Sequence, residues 1–220
     1  MKPAKFPSLI LISASLVATA SAQLTTYTDK DAFIAAATGP LTLESFESTA
    51  ARNRSAAAMT TSTLTVTPAD GNLVGVQDQS NNPEDGYGSY ATDGVKYLLS
   101  YQPNVPTGTL IFDLTTPATS FSFVLTDVGE TDGQVQVKTA TGEAAGGLVA
   151  YTFPPTIGGG QEHFFGFTQD TAFTQVRVTI TGVDEAFGLD QVRYQAVPEP
   201  ATLATLGLGL LAVARRKKSA

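Results

Sequence analysis

The 220-residue chain has no cysteine, no tryptophan, two methionines and a single histidine, His163. Without cysteine there is no disulfide, no thiol nucleophile and no thiolate metal site. One histidine excludes a His-Glu-x-x-His metal helix and leaves any Ser–His–Asp arrangement one choice of base. That base stands in Glu162-His163-Phe164-Phe165-Gly166-Phe167, which reads as the start of a strand after the glycine run at 158–160. No Gly-x-Ser-x-Gly elbow occurs, and no Glu-x-Asp-x-Glu run sets carboxylates on one strand face. Glu44 and Glu47 are three apart, which puts them on opposite faces of an expected strand. The inventory is poor for an enzyme.

Positive charge is scarce except at the two ends. At the start, Lys2 and Lys5 precede an apolar stretch at 9–18 and the small-residue site Ala20-Ser21-Ala22. This is the pattern of a secretory signal peptide over residues 1–22, with the mature chain opening near Gln23. At the other end, Pro198-Glu199-Pro200 is followed by fourteen uncharged residues, 201–214, and then by Arg215-Arg216-Lys217-Lys218. Fourteen helical residues span about 21 Å, short of the roughly 30 Å hydrocarbon core. The terminal cations should stay cytoplasmic and leave everything before Pro198 outside. The box Pro198, Glu199, Pro200, the apolar segment and the basic end with Arg215 and Arg216 resemble the PEP-CTERM sorting signal. That resemblance implies a Gram-negative exported protein, held transiently in the inner membrane and handled by an exosortase-type processing enzyme. Its destination would be the cell surface or extracellular matrix.

Between the ends, residues 23–200 hold seven Lys/Arg against twenty Asp/Glu, a net charge of −13. Such a surface repels nucleic acid and anionic lipid and attracts divalent cations. The expected organisation is a single domain at 23–196, followed by the sorting signal with its short transmembrane helix at 197–220.

The body reads as all-β. Val176, Val178 and Ile180 alternate with polar residues, as do Phe121, Phe123 and Leu125, Val135 and Val137, and Leu64 and Val66. Turn signals at Asp70-Gly71, Asp85-Gly86, Asp93-Gly94, Asp132-Gly133 and Thr141-Gly142 separate these runs. Roughly ten short strands predict a two-sheet antiparallel β-sandwich, jelly-roll-like. One short N-terminal helix is expected, with Thr28 and Asp31 as a capping box and Gly39-Pro40 as its stop.

Two segments, Leu43-Glu44-Ser45-Phe46-Glu47 and Phe187-Gly188-Leu189-Asp190-Gln191-Val192, resemble the early Phe-Glu strand and the closing Ile-Asp-Asp-Val strand of many PEP-CTERM domains and jelly-roll carbohydrate-binding modules. In those modules the end strands meet and hold a structural calcium. The resemblance implies Ca2+ at Asp190 with Glu44 or Glu47, and Gln191 stands where a second acid would be. Independently, Phe187 and Leu189 have opposite parity to Val192 and Tyr194, so a bulge falls near Asp190 or both faces are covered. A buried Asp190 then needs a partner, either calcium, backbone donors, Arg177 or Arg193. The acidic stretches 78–86 and 127–133 read as solvated turns, and the first lacks the spacing of an EF-hand loop.

Tyr87, Tyr90, Tyr97 and Tyr101 cluster within fifteen residues. Tyr87 and Tyr90, in a Gly- and Asp-rich loop, are candidates to stack on sugar rings, whereas Tyr97, Leu99 and Tyr101 alternate along one strand. The expected role is noncatalytic binding, with exopolysaccharide as the partner. A secreted glycoside hydrolase or lyase and a protein–protein adhesion module are the alternatives.

Overall fold

A computed structural model of the chain describes residues 24–80, 89–128, 134–139, 149–152, 162–181 and 186–197. The expected signal peptide, the C-terminal apolar helix and Tyr87 lie outside the described residues. So do Pro198, Glu199, Pro200, Arg215 and Arg216. Among the described residues no helix is long and apolar enough to cross a membrane.

The described elements are β1 (Leu24–Tyr27), α1 (Lys30–Ala36), β2 (Leu41–Glu44), β3 (Arg52–Ser55), β4 (Met59–Thr60), β5 (Leu64–Ala69), β6 (Leu73–Asp78), β7 (Lys96–Tyr101), β8 (Thr107–Thr126), β9 (Gln134–Thr139), β10 (Val149–Thr152), β11 (Glu162–Thr181) and β12 (Ala186–Ala196). All described pairings are antiparallel. The protein is a β-sandwich, and its two layers are parts of one hydrogen-bonded sheet folded over.

The fold-over is made by β8 and β11, each twenty residues long rather than short. They pair along most of their length, but the register shifts between Thr168 and Gln175, opposite Asp113–Ala118. Thr115, Thr116 and Pro117 are exposed there. Proline has no N–H for the ladder, so the strands can bend at this level without breaking a bond. On one side of the bend the order is β4-β5-β8-β11-β9-β10, the first layer. On the other it is β1-β11-β8-β12-β7-β6-β3, with β2 on the second half of β12.

Period-two alternation delivers the core. Leu64, Val66, Leu110, Phe112, Val176, Val178 and Ile180 point inward from the first layer, and Phe121, Phe123, Leu125, Phe165, Phe167 and Phe187 from the second. The phenylalanines interlock with centroids 5.4–6.2 Å apart at tilted angles, the spacing aromatic pairs prefer.

The helix starts one residue later than the capping-box reading placed it. Asp29, not Thr28, is the N-cap, and its carboxylate accepts the Ala32 N–H at 2.7 Å. Phe33 is fully buried and pins α1 onto Tyr27 and Phe164.

A loop held between Asp190 and Glu47 as the candidate functional site

The early segment with Glu44 and the closing segment with Asp190 meet, although the first strand, β1, pairs with β11 instead. Val192 to Gln195 of β12 pair with Glu44 to Leu41 of β2. β12 is buried on both faces from Ala186 to Tyr194, and its register against β8 shifts between Asp190 and Arg193. Gln191 at the shift has φ +50. Both answers to the parity conflict therefore hold: a bulge turns the strand, and neighbours cover both sides.

The bulge aims Asp190 at the loop that enters β7. One carboxylate oxygen accepts the Thr92 N–H at 2.8 Å, the Asp93 N–H at 2.9 Å and the Thr92 hydroxyl at 3.1 Å. The other accepts the Gln191 N–H at 2.6 Å. Burial raises the carboxyl to about 6 from an ordinary 3.8, and the four donors partly oppose that rise.

Gln191 completes the junction. Its amide donates to the Thr92 carbonyl at 3.0 Å and hydroxyl at 2.9 Å. Its oxygen accepts from Lys30 at 2.8 Å and from Arg193 at 2.6 Å. Arg193 also donates to the Gln191 carbonyl, and its burial lowers its pKa against the pull of the Asp93 and Asp190 carboxylates.

Glu47 grips the far side of the same loop. One of its oxygens accepts the Val95 N–H at 2.8 Å and the Lys96 N–H at 2.6 Å, while Lys96 donates back to the carbonyls of Glu47 and Thr49 at 3.0 Å each. Between the two carboxylates lies Gly94, with φ +75.

Glu44 works elsewhere. Its buried carboxylate accepts the Phe46 N–H at 2.8 Å and the Thr63 hydroxyl at 2.7 Å. Phe46 has φ +61, a costly conformation for a bulky residue. That turn ends β2 at Glu44, so Glu47 lies beyond the strand and the opposite-face argument from spacing does not apply to it. Among the described residues no group of three or more His, Asp or Glu is gathered where a metal could sit.

Of the tyrosines, Tyr97 packs inside β7 and Tyr101 lies under the Arg54 guanidinium, 4.7 Å from its ring centre. Tyr90 is half-buried, and its backbone N–H and carbonyl both meet the Thr126 hydroxyl at 3.3 Å. Burial raises its phenol, and the Glu162 carboxylate adds to the rise. His163 lies inside β11, opposite Leu125 on β8, and desolvation lowers its pKa. Asp78 accepts from the Ser80 N–H at 3.0 Å, whereas Asp127, expected in a solvated turn, is buried with φ +58; residues 81–86 and 129–133 of those two acidic stretches lie outside the described residues.

A polar cleft of about 410 Å³ opens between α1 and the bend of β8 and β11, with Thr25, Thr38, Ser120, Thr168, Gln169 and Gln195 in its walls. Sequence reading missed it. Its side chains come from five elements, and Gln195 is oriented by Thr38 and Ser120.

β12 ends at Ala196, and there a sorting signal begins. Residues 196–218 match the PEP-CTERM protein-sorting motif. The PEP-CTERM motif directs export and cell-envelope sorting in Gram-negative bacteria. No curated protein sequence matches this chain. Among solved structures, the K2 cleaved adhesin domain of Lys-gingipain is similar over 71% of this chain and 99% of its own, at 18% identity and TM-score 0.44. A family 11 carbohydrate-binding module from Clostridium thermocellum is similar over 72% and 97%, at 8% identity and TM-score 0.39. The enzymatically active domain of tailspike protein 4 from bacteriophage CBA120 is similar over 62% of this chain, at 13% identity and TM-score 0.39. This chain spans 20% of that tailspike chain.

Proposed function

We propose that this PEP-CTERM chain is an exosortase substrate whose sandwich acts outside the cell by noncatalytic binding to polysaccharide, the producing cell's own exopolysaccharide being its target. The observation that carries the reading is the junction at Ala196, where the fold ends and the sorting motif begins. Processing after the fold would release the sandwich whole. The polar cleft near Gln195 and the half-buried Tyr90 offer hydroxyl, amide and aromatic surfaces of the kind that recognise sugar rings. Retention of the purified chain on exopolysaccharide isolated from the producing strain tests the reading. Retention with no release of reducing ends or unsaturated sugars is the expected result. Release of such ends would replace it with a hydrolase or lyase, and no retention would overturn it.

Calcium held through Asp190, Glu44 and Glu47 is a separate proposal. Calcium takes about six to eight oxygen ligands. Here the Asp190 and Glu44 carboxylates accept from N–H and O–H donors, and one Glu47 oxygen accepts from two N–H groups, so calcium at these residues would have to displace those donors. Melting in excess calcium and in chelator decides it. A midpoint several degrees higher with calcium would support the ion, and coincident melts would assign the junction to its hydrogen bonds alone.

A further inference from the structure

The outer face of the first layer carries a feature that packing does not explain. Lys138 on β9 and Arg177 on β11 are direct cross-strand partners, both exposed. Like charges placed directly opposite one another on a sheet are destabilising. The pairing is all the less expected in a domain with a net charge of −13.

The other five cations of residues 23–200 are engaged within the fold. Lys30 and Arg193 hold Gln191, Arg52 donates to the Ala57 and Ala58 carbonyls, Arg54 covers Tyr101, and Lys96 takes the Glu47 and Thr49 carbonyls. Arg177 gives only its Nε, to Gln175 at 3.0 Å, and Lys138 makes no hydrogen bond or ion pair among the described residues. The two line a groove of about 250 Å³ with Gln136, Ile111 and Asp70.

We propose that this groove binds a carboxylated sugar, a uronate unit of an acidic polysaccharide. The carboxylate sits between Lys138 and Arg177, where it neutralises their repulsion and meets the planar guanidinium fork. Ile111 supplies an apolar floor for the ring, and Gln136 and Asp70 stand beside its hydroxyls. The inference rests on the polysaccharide-binding reading and narrows it to an anionic polymer.

The test measures binding of the purified chain to polygalacturonate, to its methyl ester and to the producing strain's exopolysaccharide, for the parent and for Lys138→Gln/Arg177→Gln. Both residues are exposed, so the double variant should melt at or above the parent temperature, which confirms that it folds. Expected are binding to polygalacturonate that weakens as salt is raised, little binding to the ester, and a loss of about tenfold or more in the double variant. Equal binding of the ester, an unaffected variant, or no binding to polygalacturonate would overturn the groove. If exopolysaccharide binding survives that result, the broader reading stands. If it is absent as well, both fall.

Discussion

Asp190 couples the last strand to the loop before β7, and its protonation should be visible in stability. Its folded pKa of about 6 lies above its unfolded value of 3.8, so the fold holds this proton more tightly than the unfolded chain does. Its stabilising contribution is complete below 3.8 and is lost as pH rises through 6. Denaturant melts should therefore show a fall of about 3 kcal/mol across that window from this one group. Asp190→Asn should remove the slope while lowering stability overall. A slope that survives the substitution would show that another group titrates. Calcium bound at this carboxylate would compete with its proton and shrink the slope.

Gly94 tests the other side of the junction. Its positive φ is strained for any L side chain, and a Cβ there would strike the Glu47 carboxylate. Gly94→Ala should cost about 1–3 kcal/mol in an unfolding titration. An unchanged midpoint would mean that Glu47 does not hold the loop.

At the scale of elements, α1 is too short to persist alone and depends on Phe33. A Cβ on Gly166 of β11 would lie 2.8 Å from the Phe33 ring, so the glycine makes the seat for the helix. Phe33→Ala should cost about 3–5 kcal/mol, read from the denaturation midpoint, by emptying that seat. A cost below about 1 kcal/mol would show that α1 is not part of the cooperative fold.

The strands were legible because burial on one face writes itself as alternation, as in Val176-Arg177-Val178-Thr179-Ile180. The continuity of β8 and β11 was not. Exposed Thr115-Thr116-Pro117 looks like a loop in sequence, whereas it is the bend of a strand crossing from one layer to the other. The end of β2 was hidden by Phe46, whose left-handed backbone has no sequence signature. The bulge at Asp190 was legible from parity. Its partners were not, since they are main-chain N–H groups at Thr92 and Asp93, nearly a hundred residues away, which no side-chain motif marks. The Asp93-Gly94 turn signal was the available hint.

At the scale of the molecule, a charge of −13 lies between two ends that carry the rest of the cations. The last strand of the sandwich ends at Ala196, and the Val197 N–H still donates to the Pro117 carbonyl at 2.8 Å, just ahead of the Pro198-Glu199-Pro200 box. The central claim is that the chain is delivered outside the cell and its tail removed at the Pro198-Glu199-Pro200 box. The intact mass of the protein recovered from the cell surface tests that most directly. The account predicts a chain that begins near Gln23 and has lost residues 201–220, with Arg215 and Arg216. A surface protein that keeps those residues, or a full-length chain confined to the inner membrane in cells with an active processing enzyme, would contradict it.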